Sequence, residues 1–168
     1  MKNEEEIKKL SRDYLIARKK FRDTADSIPE IDGNDNIVGR IGEFIALQFL
    51  KYTLKKKLVF RNKNMVQAGY DIMADNKKVS VKIITAENKK GRTTPIKEPW
   101  DELIIIELGD NSKISKIGFI TKKQFKKSLT DNFLTNINPI ASRSMLKNNK
   151  LFDIYGNIYN GKSVEKYL

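Results

Sequence analysis

The stretch Gly69-Tyr70-Asp71-Ile72-Met73-Ala74-Asp75-Asn76-Lys77-Lys78-Val79-Ser80-Val81-Lys82 decides how this chain is read. Asp75-Asn76-Lys77 offers turn chemistry between two apolar runs, Tyr70–Ala74 and Val79–Ile84, so the stretch reads as a β-hairpin. Along the second strand, side chains alternate between faces. Lys78, Ser80, Lys82 and Ile84 point one way, and Val79, Val81 and Ile83 point the other. The valine and isoleucine face is assigned to the core. That leaves Lys82 turned away from it, on a strand of otherwise buried type. With the hairpin closed at Asn76, Asp71 falls opposite Lys82 or its neighbour, a register the sequence defines only to a residue or two. A carboxylate and a lysine then converge at one end of a sheet.

The flanking segments supply the elements around that hairpin. Ile37–Leu50 (IVGRIGEFIALQFL) has helical character, is apolar on most sides and is expected to be deeply buried. Arg40 and Glu43, three residues apart, share a side of it. A buried glutamate is rare unless it is paired or ligated. Leu58–Phe60 is a short strand candidate. Leu103–Leu108 (LIIIEL) is apolar on both faces, as a central covered strand would be. Ile114–Ile120 follows it across Gly109-Asp110-Asn111-Ser112. Thr121-Lys122-Lys123-Gln124 reads as a capping box opening a helix to about Leu129. Residues 2–24 read as an amphipathic helix, with Ile7, Leu10, Tyr14, Ala17 and Phe21 on one face and Lys8, Lys9, Arg12, Lys19 and Lys20 on the other. A turn-rich connector runs from Asp23 to Asn36. In the last third, Ala141–Asn148 is a short helix candidate, and Leu151–Tyr159 is a small hairpin or edge segment around Gly156. One domain spans 1–168: an N-terminal helix and connector (1–35), a core (36–130) and a C-terminal appendage (131–168).

Composition narrows the chemistry. Among 168 residues there is no cysteine and no histidine. Disulfides, thiol catalysis, cysteine-ligated zinc and histidine-dependent triads are therefore excluded. Whatever reaction exists must run on carboxylates, lysines, hydroxyls and bound ions. Lys and Arg outnumber Asp and Glu by 33 to 21, a formal charge of +12. That field attracts polyanions, or else reflects a lysine-rich composition. The N-terminus lacks an apolar leader and no run is long enough to span a bilayer, so a cytoplasmic chain is expected. The segment Glu87–Trp100 is expected as a long loop, and its Lys89, Lys90, Arg92 and Lys97 suit phosphate contacts. Arg143, between two serines, is a further phosphate-binding candidate. Trp100 is expected to anchor the core.

In the order of its motifs the chain resembles the PD-(D/E)xK, or restriction-endonuclease-like, nuclease superfamily. The residues that carry the resemblance are Asp71, the triplet Ser80-Val81-Lys82, and Glu43 within Gly39-Arg40-Ile41-Gly42-Glu43, over about Ile37 to Thr121. The resemblance implies an α/β fold: a helix, a three-stranded antiparallel meander, a helix and a further strand. The expected architecture is a central mixed sheet of about four to five strands flanked by helices, with the N-terminal amphipathic helix added. It also implies divalent-metal-dependent DNA hydrolysis, with Mg²⁺ (or Mn²⁺) held by Asp71, Glu43 and the backbone carbonyl of Val81. Lys82 would position the attacking water and offset charge on the phosphoryl oxygens. The sequence departs from the family at Tyr70, where proline is usual, and at Ser80, where the family has an acid or glutamine. A hydroxyl is a poorer Mg²⁺ ligand than a carboxylate. Glu87 is a second-ranked candidate for a migrated acid.

DNA is the implied partner, with no membrane and no small-molecule cofactor. A homodimer is the arrangement by which many members cut both strands, and the N-terminal helix is the candidate surface. A restriction or phage-defence setting is typical of the family. The rival readings are a catalytically inactive nuclease-like DNA-binding module and a basic protein-interaction domain.

Overall fold

The computed structural model describes residues 6, 13, 16–21, 23–29, 36–62, 69–109 and 113–168, with only the backbone of Lys89. Residues 16–21 and 23–25 are helical, as the amphipathic pattern predicts. Ile7, Leu10 and Tyr14 of the expected seam lie outside the described residues, as do Asp110, Asn111 and Ser112. Among the described residues no helix is long and apolar enough to cross a membrane.

Helix α1 (Ile37–Tyr52) begins where the Asn36 side chain accepts the Gly39 N–H at 3.1 Å, which satisfies one of the open amides of the first turn. It ends where Lys55 turns left-handed, at φ 56°. Ile45, Ala46, Phe49 and Leu50 are buried beneath it. Gly42 sets its distance from the sheet: a Cβ there would stand 3.0 Å from Ile83 Cβ. Because Gly42 lets α1 lie directly on the third strand, the next residue, Glu43, is carried toward the meander.

The meander consists of β1 (Val59–Arg61), β2 (Ile72–Ala74) and β3 (Lys77–Ile84), all antiparallel. The β2–β3 turn has two residues, Asp75 and Asn76, both at positive φ (47° and 63°). This primed turn matches the twist of the flanking strands, and Asp and Asn tolerate the left-handed region best among non-glycine residues. The Asp75 carboxylate also accepts the amides of Lys57 (3.0 Å) and Leu58 (2.9 Å), tying the turn to the start of β1.

From β3 the chain crosses to β5 (Glu102–Leu108), which pairs with β3 in parallel. The resemblance implies an α-helix in this connection, and Glu87–Trp100 was expected as a loop. The segment instead holds a 3-10 turn (Lys89–Gly91) and strand β4 (Arg92–Pro95). β4 pairs antiparallel with β7 (Ile140–Ser142) in a separate two-stranded sheet. A partner about fifty positions away gives the segment an order that local composition does not disclose.

β6 (Ile114–Thr121) pairs antiparallel with β5, and β8 (Asn157–Asn160) with β6. The main sheet is therefore mixed and six-stranded, in the order β1-β2-β3-β5-β6-β8, larger than the four or five strands expected. The expected appendage 131–168 contributes β7 and β8. Ala141–Asn148, expected as a helix, is the end of β7 and a 3-10 turn (Arg143–Leu146). The segment from Leu151 forms helix α3 (Leu151–Ile154) and the edge strand β8. Helix α2 (Lys122–Thr130) carries the predicted capping box, with both reciprocal bonds between Thr121 and Gln124 present. Helix α4 (Lys162–Glu165) closes the chain.

β5 fills both cores by alternation. Ile104, Ile106 and Leu108 join Val79, Ile45, Phe49 and Leu50 on the α1 side. Leu103 and Ile105 join Ile84, Trp100, Phe125 and Phe152 on the other. Trp100 is the predicted anchor, edge-on to Phe125 with ring centres 5.3 Å apart. Replacing Gly42 by valine would press a branched side chain against Ile83 and lift α1. It should lower the unfolding free energy in urea by about 1–3 kcal/mol.

Candidate functional site

β2 is short and β3 is long, and the site forms where the first stops accompanying the second. Ile72 pairs with Val79, so Asp71, one residue earlier, faces Ser80. That is two residues from Lys82, within the residue or two to which the sequence defines the register. The backbone N–H of Asp71 donates to Val79 O at 2.9 Å. Its Oδ2 accepts the Val81 N–H at 2.6 Å. Through this bond the Val81 amide fixes the carboxylate.

Asp71, Ser80 and Lys82 share a cleft of about 280 Å³ with Gly69, Thr94, Pro95 and Lys97. Ser80 is buried and hydrogen-bonds Asp71. Lys82 reaches the cleft from the same face of β3, two residues on. Gly69 closes the wall at φ 113°, where a Cβ would stand 2.3 Å from Pro99 Cδ and 2.4 Å from Pro99 N, so only glycine fits without displacing the backbone.

Burial works against both charges. It raises the Asp71 carboxyl above its ordinary range, while the Val81 amide, the positive charges of Lys82 and Arg61, and the Ser80 hydroxyl pull the other way. It lowers the Lys82 ammonium, opposed by Asp71 and assisted by the positive charge of Lys97. An acid pushed up and a base pushed down in one cleft is an arrangement that clusters at functional sites.

Glu43 does not line this cleft. It sits on the α1 side, where the Arg61 guanidinium grips Oε2 through Nε at 2.7 Å and through Nη2. Arg40, its neighbour on the helix, pairs with Asp26 at 2.8 Å, and its charge also favours the ionised Glu43. Burial raises the Glu43 carboxyl, Arg61 opposes the rise, and the charge of Asp71 adds to it. Glu43 and Asp71 therefore feel one another, and Arg61 lies in the field of both. Arg61 carries no motif and stands eighteen positions from its partner, so only its place on a strand beside the helix marks it.

The remaining candidates divide. Lys97 is in the cleft. Lys90 and Arg92 are exposed along the crossover, and of Lys89 only the backbone is described. Arg143 turns inward, with Nε 2.7 Å from Glu107 Oε1 and Nη2 donating to Thr85 O at 3.3 Å. Glu87 is exposed and outside the cleft.

Among the described residues no group of three or more acidic side chains gathers in a metal-binding arrangement. Asp71 is the carboxylate that lines the cleft, and Glu43, outside it, acts on Asp71 through its field. That donor set is compatible with Mg²⁺, which keeps several waters and is typically bound by one or two carboxylates together with substrate phosphate. No protein-family model matches the chain, and no curated protein matches it.

Two outcomes follow from these charges. Arg61 and Glu43 are mostly buried, with side-chain exposures of 10% and 22%. Arg61→Ala should cost about 3 kcal/mol by leaving a buried carboxylate without its partner, and adding Glu43→Gln should restore most of it in urea titrations. The charge of Asp71 subtracts stability above its raised folded value, and this penalty vanishes below the ordinary 3.8. The charge of Lys82 subtracts stability below its lowered folded value, and the penalty vanishes above 10.5. The double variant Asp71→Asn/Lys82→Met should therefore be more stable than the native chain at pH 8, by about 1 kcal/mol. The Asp71 share of that gain should disappear below pH 3.8.

Proposed function

We propose that this chain is a divalent-metal-dependent DNA endonuclease of the restriction-endonuclease-like type, acting on phosphodiester bonds in the Asp71–Lys82 cleft. The observation that carries this reading is the shared cleft itself. A carboxylate and a lysine are both held there against the cost of burial, with a second lysine, Lys97, beside them. The order of helix, antiparallel meander and parallel strand supports it, as does the +12 charge. The crossover without an α-helix is a departure from the family pattern. Restriction or phage defence, in the cytoplasm, is the setting this reading suggests.

The roles of the side chains follow from their chemistry. The Val81 amide and the Ser80 hydroxyl hold Asp71 in one orientation, so that it can present a fixed oxygen to a cation. Glu43 stands outside the cleft on Arg61 and would serve as a second carboxylate only if Arg61 released it toward Asp71. A Mg²⁺ ion bound there, or Mn²⁺ in its place, would polarise the phosphoryl group and acidify a water. Lys82 donates to the attacking water and offsets the negative charge that builds on the phosphoryl oxygens. Lys97 adds positive charge at the mouth, where the neighbouring phosphate enters.

The rival reading, an inactive DNA-binding module, is favoured by one observation: Ser80 stands where the family carries an acid or glutamine. Incubation of supercoiled plasmid with the protein and Mg²⁺ or Mn²⁺ separates the two. Nicking or linearisation is expected, with at least about a hundred-fold loss in Asp71→Ala and Lys82→Ala. DNA binding in gel shifts without cleavage in either metal would leave the inactive module, and absence of binding at low salt would remove both.

A further inference from the structure

The Asp71–Lys82 cleft does not end at Lys97. That lysine also lines a second, larger groove of about 460 Å³, with Glu98, Lys122, Phe125, Lys126, Leu129, Ile137 and Asn138. The sequence of α2 explains its inner wall: Lys122, Phe125, Lys126 and Leu129 recur at the spacing of one helix face. Phe125 is turned into the core against Trp100, and Leu129 is half-buried. The two lysines stand at the groove. The opposite side is supplied by the segment before β7, where Ile137 is 70% exposed.

We propose that this groove receives a single, unpaired DNA strand continuing from the phosphate held at Lys82. The inference rests on the nuclease reading of the adjoining cleft and extends it to the form of substrate. Its charge suits a phosphate chain: Lys97, Lys122 and Lys126 face one carboxylate, Glu98, which Lys122 already neutralises through an ion pair. Its apolar surface, Leu129 and Ile137, suits sugar and base faces. The lysines can track a strand's phosphates without regard to sequence, and the aliphatic floor gives its sugars and base faces an apolar contact. A duplex keeps its bases stacked on one another and away from such a floor, whereas an unpaired strand can turn them toward it. Lys97 belongs to both spaces, so one strand can pass from the reacting position into the groove without leaving the protein.

The test measures binding and cleavage separately. Anisotropy of fluorescently labelled DNA, in EDTA, compares a blunt duplex with the same duplex bearing a single-stranded extension. The native chain should prefer the extension by about five-fold or more. Lys126→Glu/Ile137→Asn, at two exposed positions that should not affect folding, should abolish the preference. Its binding of the blunt duplex should fall by less than its binding of the extended DNA, while Mg²⁺-dependent nicking is followed separately on the native chain. Equal binding of both DNAs by the native chain overturns the proposal. So does a variant that weakens both DNAs equally, since the groove would then supply only general charge. An extension preference kept by a chain that never cleaves overturns the nuclease reading and leaves the groove assignment standing. Cleavage without a preference does the reverse.

Discussion

The hydrogen bond from Val81 N–H to Asp71 Oδ2, at 2.6 Å, is the interaction around which this molecule is arranged. β2 covers only three residues and β3 eight. Past Asp71, the amide of Val81 on the β2 side would face no strand. A buried amide without an acceptor costs about 1–3 kcal/mol. The Asp71 side chain fills that place, much as an N-cap residue serves the open amides of a helix. The same bond draws a carboxylate into a buried position beside Ser80 and within the field of Lys82. The ladder and the candidate chemistry thus share one atom pair, and the geometry of the site is inherited from the point where the meander opens.

Around that point the charges settle in two different ways. Glu43 and Arg61 meet directly and neutralise one another on the α1 side. Asp71 and Lys82 act on each other through the field, and burial works against both. A fold selected for stability alone would replace such a pair with apolar groups of similar size, which is often neutral or favourable. Burial outweighs Arg61 at Glu43 as well, whose carboxyl is also raised. The difference is one of contact: Glu43 has a cation bonded to it, while Asp71 and Lys82 meet through the field.

The parts that the sequence discloses are those set by neighbours along the chain. The Asp75-Asn76 turn, the two-faced strand LIIIEL, the Thr121–Gln124 capping box and the anchoring role of Trp100 each depend on a few adjacent residues. What it conceals depends on distant ones. The pairing of β4 with β7 orders Glu87–Trp100 from the far side of the chain, and β8 finds its edge only once β6 is in place. For Glu43 the sequence offered Arg40, three residues away on its own helix, whereas Arg61, on a strand eighteen positions on, carries no local mark. The register, open to a residue or two in the sequence, is closed on Ser80 by a turn of two residues, because each residue added to a hairpin loop shifts every cross-strand neighbour. Lys97 was legible as a cation but not as a member of both spaces, since that needs the crossover to fold back over the end of β3.

Ser80 links these points. It is 2% exposed, so an acid in its place would add a third buried carboxylate next to Asp71. Like charges at that distance cannot all remain ionised without a cation, and a chain so built would depend on its metal to fold well. With serine, the hydroxyl hydrogen-bonds Asp71, and the metal-free chain keeps its site formed at lower electrostatic cost. Under the nuclease reading, Asp71 is then the one carboxylate among the residues lining the cleft, where the family supplies more. A hard cation held that loosely is completed by the oxygens of the substrate phosphate. Cation and DNA must then bind cooperatively, each raising the affinity of the other by the same factor. The serine that weakens the family signature is, on this argument, what makes metal binding conditional on substrate.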